Sequence, residues 1–274
     1  MRKVAFVLMF ILLFAKSSIA VSAETIQLKI EMLPWSEVNQ LLPKYSKFVV
    51  IDVESGKKFR VQRRAGSSHA DVQPLTAEDT RIMKQIYNGK WSWKRRSIYV
   101  IYHDQWIAAS MHGMPHGAGA LKNNFPGHFC IHFYGSKTHR TKMMDLAHML
   151  MVYKAAGKLD EYLNQADPYE AVHAYIAGIK QQDERIVSGL SLQTFAWKQV
   201  LSEIDTIKIT RLALLPPEDL TEEMNLQVPI ELDLVQQNKG QLQFKGTLRL
   251  LRFSPIERWK IDSADFFRQL ELQL

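Results

Sequence analysis

The chain has 274 residues, a formal net charge of +7 and a single cysteine, Cys130. This length is sufficient for one large domain or two domains of ordinary size. The positive balance is small and scattered along the chain, so it does not indicate a nucleic-acid partner, and a single cysteine excludes an internal disulfide framework.

The first 23 residues have the layout of a secretory signal peptide. Arg2 and Lys3 precede an apolar run at positions 4–15, and small residues lead to Ala23. The run of about a dozen apolar residues is shorter than the roughly 20 that a membrane-spanning helix requires. We therefore expect cleavage before Glu24, a secreted, extracytoplasmic protein, and membrane contact only through the transient signal peptide.

The pattern of residues 24–157 predicts a β-rich domain with a few helices. Gly56 tolerates a positive φ and favours a hairpin turn, while Thr76 with Asp79 three positions later predicts a capped helix start. The predicted elements are a short helix at 37–42, a hairpin at 47–64, a helix at 77–87, a strand pair at 97–110 turning at 103–105, and a helix at 145–156.

The chain changes character after Gly157. Residues 158–166 are predicted to be a linker, and Asp167, Pro168 and Glu170 have the types expected at the head of a helix that extends to about Gln182. A second helix is predicted at 192–201. Apolar residues then alternate with polar ones over 226–234 and 242–250, as in antiparallel strands with one solvated face.

The predicted fold class is therefore α+β, with domains at 24–157 and 167–274. Helices followed by a curved antiparallel sheet make the second domain resemble the nuclear transport factor 2-like and cystatin-like domains, although no specific motif supports this. We expect this domain to have a structural, substrate-positioning or partner-binding role.

Histidine is concentrated around the cysteine, since six of the nine histidines lie between His112 and His148. If residues 127–133 form a strand, His128, Cys130 and His132 share one face, and the large apolar residues between them take the other. A thiol becomes nucleophilic as its thiolate, which a neighbouring imidazole can generate. His116 in the preceding loop is the predicted base, with the backbone of Gly117 orienting its ring.

These residues resemble the catalytic motif of the L,D-transpeptidases. That family carries a His-Gly pair and then a Ser-His-Gly-Cys-Ile/Val-Arg segment, which here correspond to His116-Gly117 and residues 127–132. In this chain Phe129 takes the place of the glycine and His132 that of the arginine. The resemblance spans about residues 47–157 and implies a β-sandwich.

The resemblance also implies an activity. Cys130 would attack a carbonyl of a peptidoglycan stem peptide and form a thioester, with His116 as base and the carbonyl of Gly117 as its orienter. The thioester would be passed to an amine, which makes a crosslink, or to water, which trims the peptide. No cofactor is implied, and the protein would be associated with the cell wall. Five further residues are expected to contact substrate: His128, His132, His112, Asn124 and His69.

Two other interpretations remain open. A zinc site could form from His112, His116, His128, Cys130 and His132, with Asp71 joining from a loop. Alternatively, the chain could be a catalytically inactive wall-binding protein that uses Trp91 and Trp93 to stack on sugars. His103, His148 and His173 are expected to be ordinary surface or packing residues, and the sequence does not indicate the oligomeric state.

Overall fold

The computed structural model describes residues 29–138, 143–213, 220 and 222–272. The expected signal peptide lies outside these ranges. None of the helices in the described part of the chain is both long and apolar enough to span a membrane.

Seven strands form the first sheet, and six of them close into a barrel. The strands are β1 (Ile30–Glu31), β2 (Lys47–Asp52), β3 (Lys58–Ala65), β4 (Ala70–Pro74), β5 (Arg95–Tyr102), β6 (Gln105–His112) and β7 (Phe129–His132). Their order is β1-β6-β5-β2-β3-β4-β7, and a further pairing of β7 with β6 closes the ring. The two predicted hairpins are confirmed. A closed barrel replaces the expected sandwich because β7 pairs with both β4 and β6.

Alternation along the strands fills the barrel with apolar side chains. Phe59, Val61, Ile107, Phe129 and Ile131 are all buried in one core cluster. The residues between them point to the outer surface of the barrel. On β4, β6 and β7 this outer surface is polar, and it carries the cysteine.

Three helices accompany the barrel: α1 (Trp35–Leu41), α2 (Ala77–Ile86) and α3 (Leu146–Ala155). The Thr76 hydroxyl accepts a hydrogen bond from the backbone N–H of Asp79, which confirms the predicted start of α2. Helix α3 packs on the outer surface of the barrel, where Val152 and Ala155 contact Ala108 of β6.

The second half of the chain contains helices α4 (Leu159–Gln165), α5 (Pro168–Gln181), α6 (Glu184–Leu190) and α7 (Trp197–Ser202), then strands β8 (Ile204–Leu212), β9 (Asn225–Gln236), β10 (Gly240–Leu251) and β11 (Lys260–Ile261), then helix α8 (Ser263–Gln269). The strands form an antiparallel sheet in the order β11-β10-β9-β8. The predicted capping box of Asp167 and Glu170 is present at the head of α5. The second predicted helix is shorter than expected and corresponds to α7.

The predicted linker at 158–166 is mostly helix α4, and its Leu159 and Leu163 are buried in the core of the second half. Helix α3 joins the two halves, because its Leu150 and Met151 belong to that same core while its other side packs on the barrel. A mixed α and β fold with two sheets is therefore confirmed, and the exact domain boundaries stay a prediction.

Candidate active site around Cys130

Cys130 lies in a row of polar side chains that crosses four strands of the barrel. Asp71 pairs with Cys130 across β4 and β7, and Arg95 pairs with His112 across β5 and β6. The register between β6 and β7 places His112 level with Cys130. Because facing residues of neighbouring strands share one side of a sheet, the row brings a carboxyl, a thiol, an imidazole and a guanidinium to the same outer surface.

A second row, one step along the strands, consists largely of histidines. His132 of β7 pairs with Ser110 of β6, and His69 immediately precedes β4 on the other side. The rings of His69 and His132 stack with centroids 4.5 Å apart, and those of His132 and His148 stack at 3.8 Å. His148 comes from α3, and its Nδ1 lies 2.9 Å from the Ser110 hydroxyl. Three stacked imidazoles thus line the surface beside the thiol.

The loop between β6 and β7 places His116 next to the sulfur of Cys130. His116 and His128 form a two-bond antiparallel bridge, in which each backbone N–H donates to the other residue's carbonyl at 2.8–2.9 Å. Gly127 permits this approach, because a Cβ at its position would lie 2.5 Å from the carbonyl oxygen of His116 and its φ is +122°. The bridge therefore fixes the distance between the histidine loop and β7.

The thiol and the predicted base are in contact. The Sγ of Cys130 lies 3.3 Å from Nε2 of His116, and Nδ1 of that ring lies 3.1 Å from the carbonyl oxygen of Met114. A carbonyl only accepts hydrogen bonds, so Nδ1 carries the hydrogen and the lone pair of Nε2 faces the sulfur. This is the tautomer that a base requires. The orienting carbonyl belongs to Met114, which corrects the expectation that Gly117 orients the ring.

Asp71 is the second neighbour of the thiol. Its Oδ1 lies 3.7 Å from Sγ of Cys130, 3.2 Å from Nε2 of His69 and 3.8 Å from Nε2 of His128. The Nδ1 atoms of these two histidines contact the carbonyl oxygens of Lys137 and Ala118. Each Nδ1 donates to its carbonyl, which leaves each Nε2 directed at Asp71.

Burial and charge set the protonation states around the sulfur. Burial raises the pKa of Cys130 well above its usual value, and the neighbouring Asp71 raises it further, so the group is a thiol at neutral pH. Burial also lowers the pKa of His112, with the nearby charge of Arg95 adding to the effect, and burial lowers that of His148. Both rings are therefore neutral at pH 7.

The residues enclose a cavity of about 350 Å³ beside the sulfur. It is lined by Cys130, His69, His112, His116, His132, His148, Trp93, Arg95 and Thr138. The structure therefore brings most of the predicted site residues together. Asn124 is exposed, has a φ of +60°, and is not among the lining residues. Its neighbour Asn123 is buried instead; its side chain donates to the carbonyl of Pro74 and accepts from the backbone N–H of Phe125.

Four lining residues were not in the predicted set of site residues, namely Trp93, Arg95, Thr138 and His148. His148 was expected to be an ordinary surface or packing residue, yet it is buried in the cavity wall; a histidine in the otherwise apolar run of α3 is the signal that could have indicated this. Arg95 could have been found from the hairpin register, because a turn at 103–104 places it opposite His112. Trp93 packs over the rings of His112 and His116, and no sequence signal indicated that contact.

The same side chains could hold a metal ion. Three groups of residues have donor atoms close enough to share one ion. Within each group the donor atoms lie within 4.8 Å of one another; the groups are His69/Cys130/His132, His112/His116/Cys130 and Asp71/His128/Cys130. Imidazole, thiolate and carboxylate are all ligands of zinc. The five ligands expected from the sequence are thus divided among three groups that share the sulfur, and Asp71 and His69 add to them.

Comparison with known proteins gave no matching family model, no matching curated protein and no matching solved structure.

Proposed function

We propose that this chain is a cysteine acyltransferase that resembles the L,D-transpeptidases and acts on peptidoglycan stem peptides. The observation that carries the proposal is the 3.3 Å contact between the Cys130 sulfur and Nε2 of His116, with Nδ1 of the same ring held by the carbonyl of Met114. A nucleophile, a base and an orienting acceptor in line are the arrangement that thiol acyl transfer requires.

The reaction begins from the neutral thiol. His116 removes the proton from Sγ as the sulfur attacks the substrate carbonyl, and the same ring then donates that proton to the departing amine. The carbonyl carbon is left as a thioester on Cys130. An acceptor amine, or water, attacks the thioester, gives its proton to His116 and releases the thiol. An amine acceptor makes a crosslink and water makes a shortened peptide.

Two features support the substrate and the location. The cavity beside the sulfur has about 350 Å³ and imidazole walls that can hydrogen-bond to the peptide groups of a substrate. The sequence from Met1 to Ala23 has the pattern of a secretory signal, which is consistent with an extracytoplasmic, wall-associated enzyme.

The test is intact-mass analysis after exposure to a carbapenem or to purified muropeptides. We expect a covalent adduct on the wild-type chain, none on Cys130→Ser, and a strongly slowed adduct on His116→Ala. Cys130→Ser changes one atom at a buried position and should leave the fold intact, which circular dichroism checks. An unmodified wild-type mass under conditions in which the protein is folded would contradict the proposal. Binding to sacculi without any turnover would instead favour a wall-binding protein.

A zinc site is the second candidate, because three donor groups converge on the same sulfur. Zinc bound there would hold Cys130 as a thiolate, and a ligand thiolate would not be available for acyl transfer. Metal analysis of the purified protein distinguishes the two. One equivalent of zinc that is lost in Cys130→Ser, the residue that all three donor groups share, together with no adduct, would support the metal site over the acyltransferase.

A further inference from the structure

The cavity beside Cys130 continues into a larger groove that the second half of the chain helps to form. This groove has a volume of about 540 Å³ and runs between residues 143–147, α5 and β8. Arg95 and Thr138 line both the cavity and the groove, so the two spaces adjoin at these residues. A substrate held at the sulfur can therefore extend into the groove.

The groove is basic. Arg95, Lys180 and Lys208 line it, and the charges of Arg95 and Lys208 both act on Lys180, lowering its pKa in addition to the effect of partial burial. Asp145 is the acidic residue among the described lining residues. Its carboxylate is already engaged, since it accepts from Arg95 at 2.9 Å and from the backbone N–H of His148 at the start of α3.

Arg95 and Lys180 retain capacity for an anionic ligand. The Nε of Arg95 is buried and has no hydrogen-bond partner in the described part of the chain. Lys180 and Lys208 have no carboxylate within 4.0 Å among the described residues, although Asp233 faces Lys208 in the strand register. A guanidinium whose buried N–H has no acceptor leaves positive charge uncompensated where the cavity and the groove adjoin, which favours an anionic ligand there.

The wall of the groove is also suited to an extended chain. Ile207, Lys208 and Ile209 of β8 line it consecutively, and in the described residues β8 pairs with β9 alone. Its other edge therefore offers backbone N–H and carbonyl groups, to which an extended peptide adds as a further strand.

We propose that this groove binds the acyl portion of the donor, on the amino-terminal side of the scissile bond, as an extended peptide whose carboxylates pair with Arg95, Lys180 and Lys208. The inference rests on the proposed acyl transfer at Cys130. It gives the second half of the chain a role in recognising the substrate of the site on the barrel.

The experiment measures binding separately from chemistry. The full chain with Cys130→Ala is titrated with an acidic tetrapeptide of stem-peptide composition and with the same peptide amidated at its carboxyl groups. Lys180→Gln/Lys208→Gln should weaken binding of the acidic peptide about threefold to tenfold, as expected for two partly exposed charge pairs, and leave binding of the amidated peptide unchanged. The matched control is Lys57→Gln/Lys58→Gln, which removes two exposed positive charges from the distant hairpin turn.

The inference is overturned if the acidic peptide does not bind, if it binds no better than the amidated one, or if the control pair weakens it equally. Adduct formation by a carbapenem is measured in parallel on the lysine pair with Cys130 intact. If the lysine pair forms the adduct normally and binds the acidic peptide as tightly as the unsubstituted chain, the groove proposal is wrong and the acyltransferase proposal stands. If peptide binding depends on charge but the wild-type chain forms no adduct, the acyltransferase proposal is wrong and the groove remains a peptide-binding site.

Discussion

Three imidazoles around the sulfur share one arrangement. Nδ1 of His69, His116 and His128 each contacts a backbone carbonyl, and each Nε2 faces either Cys130 or Asp71. When Nδ1 of a neutral imidazole donates its hydrogen to a carbonyl, Nε2 of the same ring carries a lone pair. The thiol therefore lies between His116, the proposed base, and a carboxyl group that opposes its ionisation.

Asp71→Asn should make Cys130 more reactive. The carboxylate raises the pKa of the thiol, so its removal lowers that pKa and increases the thiolate fraction at a given pH, by about tenfold for each unit of pKa. The rate of alkylation by iodoacetamide, measured from pH 7 to 10, should rise at each pH below the thiol pKa. Asp104→Asn, in the exposed turn between β5 and β6, is the control and should not change the rate. An unchanged rate in Asp71→Asn would show that burial alone protonates the thiol.

The decisive element is the loop between β6 and β7, because it carries His116, the proposed base. Gly117 follows the base with a φ of +59°, and a Cβ there would lie 2.4 Å from Cε1 of His128. Its role is thus to allow the His128 ring to pack against the backbone of the loop. The carbonyl that contacts Nδ1 of His116 is that of Met114, not that of Gly117.

Gly117→Ala should damage the site more than the fold. A left-handed backbone costs an alanine about 1 kcal/mol, and at position 117 the new methyl group must also displace the His128 ring. Gly56→Ala is the matched control, because Gly56 has a φ of +66° and nothing lies within 4 Å of an added Cβ. We expect Gly117→Ala to lose somewhat more free energy of unfolding than Gly56→Ala, measured in urea, and a slower carbapenem adduct only in Gly117→Ala. Equal adduct rates would mean that the loop tolerates the displaced ring.

At the scale of the whole molecule, the site lies where the barrel, α3 and the second half of the chain meet. Arg95 illustrates this, since its backbone N–H donates to Gln181 of α5 at 2.6 Å while its guanidinium contacts Asp145 before α3. Burial of neutral His112 and His148 at this junction connects the stability of the fold to pH.

The protein should lose stability as the pH falls below about 6.5. His112 and His148 have lowered pKa values in the folded chain, so the unfolded chain binds protons that the folded one does not, and acid favours unfolding. The slope reaches at most about 1.4 kcal/mol per pH unit for each group. Urea unfolding from pH 8 to 4 measures it. His148→Gln should be less stable at pH 8, but its free energy of unfolding should change less steeply with pH. Substitution of the exposed His173 by Gln is the control and should leave the pH dependence as in the wild type. If His148→Gln also keeps the wild-type pH dependence, His148 does not contribute to it.

Much of the local structure could be predicted because it depends on residues close together in the chain. The turn at Gly56, the cap at Thr76 and the capping box at Asp167 each involve contacts over a few positions, and all three are present. The strand alternation around Cys130 also needed only neighbouring residues. It correctly placed Phe129 and Ile131 in the core.

The sequence by itself determined that a cysteine and several histidines share one face of a strand, and that a histidine loop precedes it. Tertiary structure decided which of them act together. Asp71 and Cys130 are 59 positions apart and meet only because β7 pairs with β4, while His148 arrives on a helix that packs across the barrel. Such pairings depend on the burial of the whole barrel and its covering helix, so a local sequence pattern does not predict them.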